Sequence, residues 1–282
     1  MNRTLQASTV NETLKEYGRG IVGGLIFSLP LLYTMEVWWA GFIATPVFLL
    51  GGIVITFLLL LGYNRFAGMR EDATFYDLCW DSAEEFGLAF IVSFVFLLLI
   101  GQISFTMSID EILGKVIIES MFVAIGISVG TAQLGQNGDE ATGMSGEKYS
   151  DTTNFFSLLI LSVCGAVLFA ATVAPTEEIV IIAIKSHPIH LLALVIMSLF
   201  LCSIILYFSE FKGTGPHKMT KLEIGVTVAI SYTIALLVAL ALLLFFGRIE
   251  NNGLGIILAQ AIVLGVPASI GASAGRLLIS QQ

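Results

Sequence analysis

The chain has 282 residues, 56% of them hydrophobic and 12% charged, with a net charge of −8 and a mean hydropathy of +0.92. Soluble domains carry about 25% charged residues, so a soluble fold is excluded, and several apolar runs of about 20 residues mark a polytopic all-α integral membrane protein. Continuous runs without period-two alternation disfavour a β-barrel, and the lack of a basic patch with interleaved aromatics argues against nucleic acid.

Residues 1–17 are polar and read as a cytoplasmic segment at the membrane surface. Span 1 runs from Gly18 to Ala40 with a kink expected at Pro30. It is too long for a signal-peptide core and should remain as a membrane helix. Span 2 starts at Pro46, a favoured first-turn residue, and reaches Tyr63. A polar loop follows, its later part a short interfacial helix, and then come span 3 (Phe86–Phe105) and span 4 (Lys115–Leu134). Residues 135–154 are rich in Gly, Ser, Thr and charge and form a cytoplasmic linker; their acidic residues do not fit the spacing of a calcium loop. Spans 5 to 8 follow as Phe155–Ala174, Pro188–Phe208, Leu222–Phe246 and Leu254–Ile279. Cys79, Cys164 and Cys202 are an odd set without C-x-x-C spacing and read as small buried hydrophobes.

The two sets of four spans align. Gly23, Phe27, Thr34 and Glu36 match Gly165, Phe169, Thr176 and Glu178, each pair 142 residues apart, and Thr45-Pro46 keeps that offset with His187-Pro188. Glu85, Gly87 and Ser93 align with Glu223, Gly225 and Ser231 at 138, and Glu119, Ser128 and Gly130 with Gln260, Ser269 and Gly271 at 141. The offset changes only across loops, where insertions are tolerated. The expected architecture is therefore two four-helix repeats, 18–134 and 155–282. Ten of the thirteen basic residues fall on the side holding both termini, only Lys115, Lys185 and Arg248 on the other. The positive-inside rule puts both termini in the cytoplasm, and the even span number makes the repeats parallel.

This topology sets Glu36 and Glu178, with Glu177 beside the latter, near the outer ends of spans 1 and 5, and Glu119 and Gln260 in the outer parts of spans 4 and 8. A charge at a helix centre costs about 2.5–3.5 kcal/mol on insertion scales, so such groups face the bundle or a wet cavity. Carboxylate oxygens suit hard cations and line selectivity rings. If spans 1, 4, 5 and 8 converge, the four positions form an acidic, cation-attracting site. The plainer reading is that Glu36, a turn inside Trp38 and Trp39, reaches headgroup water, and that Glu177 and Glu178 are loop residues after Pro175.

His187 and His190 lie on the same side as Glu177 and Glu178, and two imidazoles with two carboxylates would suit a transition metal; Thr45 and Phe48 at the equivalent positions argue against it. Small residues along spans 1, 4 and 8 permit close helix approach. Gly126 and Pro267, which align across the repeats, would instead mark breaks beside a transport site, with Ser128 and Ser269 lining the pathway. No catalytic signature is present: neither G-x-S-x-G, nor H-E-x-x-H, nor a phosphate-cradling glycine loop. No enzyme activity and no cofactor are expected.

The run LPLLYTMEVWW, Leu29 to Trp39, resembles the first span of a bacterial family of multipass integral membrane proteins of uncharacterised function. That resemblance implies a multipass inner-membrane protein and assigns no activity. The residues themselves point to a channel or transporter for a cation or proton, embedded in the lipid bilayer, with the pathway inside one chain or between the chains of a homo-oligomer. The competing class is a non-transporting scaffold or sensor that presents the 63–85 and 209–221 loops to a protein or lipid; a transition-metal transporter is the third.

Overall fold

Lipid offers no hydrogen-bond partner, so each segment must satisfy its own backbone, and every regular element among the described residues is helical. The computed structural model describes residues 10–68, 74–134, 155–212, 221–250 and 252–280. The predicted linker 135–154, residues 1–9 of the N-terminal segment, and residues 69–73 and 213–220 of the two loops offered as a partner surface lie outside them. In chain order the helices are α1 (Val10–Leu32), α2 (Met35–Ile43), α3 (Pro46–Tyr63), α4 (Phe75–Leu99), α5 (Ile109–Leu134), α6 (Phe155–Ala171), α7 (Glu177–Lys185), α8 (Pro188–Lys212), α9 (Lys221–Phe245) and α10 (Leu254–Ser280). A π-turn, Asn64–Gly68, continues α3.

Among the described residues, six helices are long and apolar enough to cross a membrane: α3 with part of its π-turn, α4, α5, α8, α9 and α10. Spans 1 and 5 differ in form from the expectation. Span 1 is a pair, α1 and α2, bent by 84° at the break, and it makes a seventh crossing if counted as one. Span 5 ends at Ala171, and the separate helix α7 begins at Glu177.

The bend does not fall at Pro30, which lies inside α1. It falls at Tyr33–Thr34, and side chains explain why. The Thr34 hydroxyl donates to the Pro30 carbonyl at 2.6 Å, taking the acceptor that the next helical amide needs, while the Thr34 N–H turns to Leu31 at 2.7 Å. The Trp38 indole N–H then donates to the orphaned Leu32 carbonyl at 3.1 Å. At the second break the Thr176 hydroxyl donates to the Val173 carbonyl at 2.8 Å, and the Arg248 guanidinium donates to the Pro175 carbonyl. Thr34 and Thr176 are the N-cap residues of nine-residue helices with acidic first turns, so the repeated Thr-x-Glu is a helix-start signal. Pro46 and Pro188 then open the next helix in each half.

Packing is ordered around α5 and α10. Helix α5 lies against α1, α2, α3 and α4, and α10 against α6, α7, α8 and α9. Thus each half shows the same partners in the same order. Glycines allow the closest crossings: a methyl group on Gly23 would collide with the Gly130 backbone, and one on Gly165 with the Gly271 backbone. The halves join where α6 meets α3 and α5 and where Phe245 stacks on Phe48 at 5.0 Å and Phe246 on Phe122 at 6.0 Å. Rows of exposed aliphatic side chains on α3 (Leu50, Val54, Leu58) and α8 (Ile189, Leu192, Ile196) suit contact with acyl chains.

Candidate functional site: a buried carboxyl on the central helix

Helix α5 is the most enclosed of the spanning helices, and Glu119 sits within it at 0% exposure. Neither carboxyl oxygen has a hydrogen-bond partner. The Trp38 indole lies beside it, but its N–H is committed to Leu32. Among the described residues the Trp38 indole is thus the one polar neighbour of a carboxyl otherwise held in an apolar setting. Such a group is costly to bury, and its presence needs a reason beyond packing.

Gln260, its counterpart on α10, is also at 0% exposure, and both atoms of its amide lack a partner. The two halves thus bury an unsatisfied polar group at matching positions of their central helices, one ionisable and one not. Helix α1 packs on α5 and α6 on α10, and α6 also meets α5 and α1, whereas the main partners of α10 are α6, α7, α8 and α9 of its own half.

Glu36 is half-buried in the first turn of α2; Glu177 and Glu178 are exposed in the first turn of α7. Helix α2 is packed on α5 and α7 on α10. At these positions the carboxylates complement the positive ends of two short helices. His187 and His190 are exposed with ring centroids 6.4 Å apart, and among the described residues no three His, Cys, Asp or Glu side chains converge on a metal-ion position. The two histidines and the two neighbouring glutamates therefore do not assemble into the predicted donor set.

Gly126 and Pro267 are not breaks, because α5 and α10 run unbroken through them. Gly126 serves close approach instead: a Cβ there would lie 3.1 Å from the Gly24 carbonyl oxygen. Ser269 donates to the Val266 carbonyl at 2.8 Å within its own helix. Ser128 does something different. Its hydroxyl donates to Asn64 Oδ1 at 2.7 Å, and Asn64 Nδ2 donates to Glu85 Oε2 at 2.8 Å and to Ser82 Oγ at 3.1 Å.

That network was not foreseen from sequence. Asn64 follows the last residue of an apolar run and reads as loop, and Glu85, in a stretch with Asp77, Asp81 and Glu84, falls before the apolar run of span 3, in the part read as a short interfacial helix. The missed signal was Thr74 three residues before Asp77. The two form a capping box that starts α4 at Phe75 and carries Glu85 three turns into the helix.

A family model described as putative integral membrane protein (DUF2391) matches residues 16–279. No curated protein and no solved structure matches the chain.

Proposed function

The chain belongs to that family of integral membrane proteins, whose description assigns no activity, and from its residues we propose that it conducts or transports a proton or another small cation. The observation that carries this reading is Glu119, a fully buried carboxyl without a partner on the most enclosed helix. Ionisable groups inside membrane helices are expensive and characteristically mark ion pathways and proton relays. Among the described residues the Trp38 indole beside it is already bonded to Leu32, so a transient occupant, proton or cation, is the simplest reason for it.

In this reading the protein is two parallel repeats in a bacterial inner membrane, with both termini cytoplasmic. Recurring helix partners and the two short helices after the breaks support the duplication. Glu36, Glu178 and Glu177 attract the cation at the outer ends, and Glu119, with Gln260 as its neutral counterpart, lies deeper. Ser128 and Ser269 follow on the same two central helices. Broken helices ending at a bilayer-depth site are a recurrent transporter device, and here the breaks precede α2 and α7.

The test is flux. Purified protein in liposomes should dissipate an imposed proton, Na⁺ or K⁺ gradient faster than empty liposomes do. A scaffold or sensor moves none of them. Inserted, folded protein that leaves all three gradients intact would end the transport reading.

A further inference from the structure

At the opposite end of the bundle from α2, four polar side chains from three helical elements meet. Helix α3 ends at Tyr63, the Asn64 N–H is shared between the carbonyls of Leu60 and Leu61, and the π-turn starts at Asn64. Such single-turn bulges are frequent at functional sites. This one turns the Asn64 side chain into the protein, where it is 4% exposed. Ser128 of α5 donates to its oxygen, so its amide hydrogens point at Ser82 and Glu85 of α4.

A second observation falls at the same place. The Tyr63 hydroxyl is buried and has no hydrogen-bond partner, and its titratable neighbours are Cys164 of α6 and Glu85. A buried hydroxyl with neither donor nor acceptor is incomplete. Near a carboxyl that accepts from Asn64 on Oε2, it leaves the phenol hydroxyl as a group for a ligand to satisfy.

We propose that Glu85, held by Asn64 and accompanied by the Tyr63 hydroxyl, is a proton-binding site, a second station in the pathway inferred for Glu119. The inference rests on that reading for its place in a pathway, but not for the binding itself. One proton adds to the carboxylate and converts it to a carboxylic acid; release returns it to water. The hydroxyls of Ser82 and Ser128 donate or accept by rotation, so the network closes in both states.

A metal cation fits less well, because the Asn64 amide presents hydrogens, not oxygen, to the carboxylate. The charges acting on Glu85 are those of Asp81 and Glu84 on α4, with Tyr17 of α1 donating to Glu84; α5 contributes the neutral Ser128. Ser128 and Glu119 are nine residues apart on α5, about 14 Å along the axis. The second half lacks the device, since Leu206 stands where the 142-residue offset places Asn64. Both ionisable stations therefore belong to the first half.

Infrared difference spectroscopy of the full chain in lipid, titrated with pH, reads the site directly. The wild type should show a protonated-carboxyl band component that is lost in Glu85→Gln, displaced in Asn64→Leu and Tyr63→Phe, and kept in Glu119→Gln. Should Glu85→Gln not fold, Glu85→Asp must shift the component. A component unchanged in Glu85→Gln overturns the proposal, as does one displaced by Na⁺ or K⁺ at fixed pH, which would make the site a metal-cation site. A Glu85 component in a protein that passes no ions would uphold the binding site and remove the transport reading alone.

Discussion

Gly23 and Gly130 meet backbone to backbone where α1 crosses α5, and neither position has room for a Cβ. Gly165 and Gly271, their counterparts in the second half, make the same contact between α6 and α10. Without a hydrophobic drive between helices in lipid, close backbone approach is a main source of association. Alanine at any of the four should therefore cost about 1–3 kcal/mol through forced separation. Gly87 and Gly225 face open space, and alanine there should gain about 0.4–1 kcal/mol. Unfolding midpoints in one detergent would show the two groups moving in opposite directions; a common direction would contradict the packing.

The two bends should fail separately. Trp38→Phe removes the indole bond to Leu32, worth about 1 kcal/mol, and Arg248→Met removes a charged donor to Pro175, worth about 1.5–3 kcal/mol. Hydrogen exchange should quicken in α2 after the first change and in α7 after the second. Quickening spread evenly over the chain would mean that neither residue holds its bend.

Parallel repeats make a labelling prediction. In a chain freed of Cys79, Cys164 and Cys202, single cysteines at Thr45 and His187, both exposed equivalents, should react with an impermeant maleimide from the same side. A cysteine at Arg65, exposed at the other end of α3, should react from the opposite side. Thr45 and His187 labelling from different sides would show inverted repeats.

Glu119 should be a burden on the fold. Glu119→Leu relieves a buried group with two unsatisfied oxygens and should raise stability by about 1–3 kcal/mol. A loss of stability of that size would show instead that the carboxyl makes a structural bond.

Helix content was legible because lipid imposes it: Pro46 and Pro188 opened their helices where expected, and α10 matched its apolar run almost end to end. The bends were hidden because hydropathy is continuous across Tyr33 and Thr34, and only hydrogen bonds from Thr34 and Trp38 make the turn. Glu119 was visible as an isolated charge in an apolar run. The Asn64 network was not, since hydropathy cannot distinguish a residue leaving the bundle from one folded back by a π-turn. The 142-residue offset already paired Gly23 with Gly165, but that each glycine meets the fourth span of its own half is a fact of packing.

The central claim is that Glu119 exists for the ion and not for the fold. Proton, Na⁺ and K⁺ flux through Glu119→Gln should be measured beside wild type in the same liposomes. The account predicts that the gradient lost through wild-type protein is held by Glu119→Gln at the level of empty liposomes, with helix content unchanged. Equal flux through both proteins would contradict it.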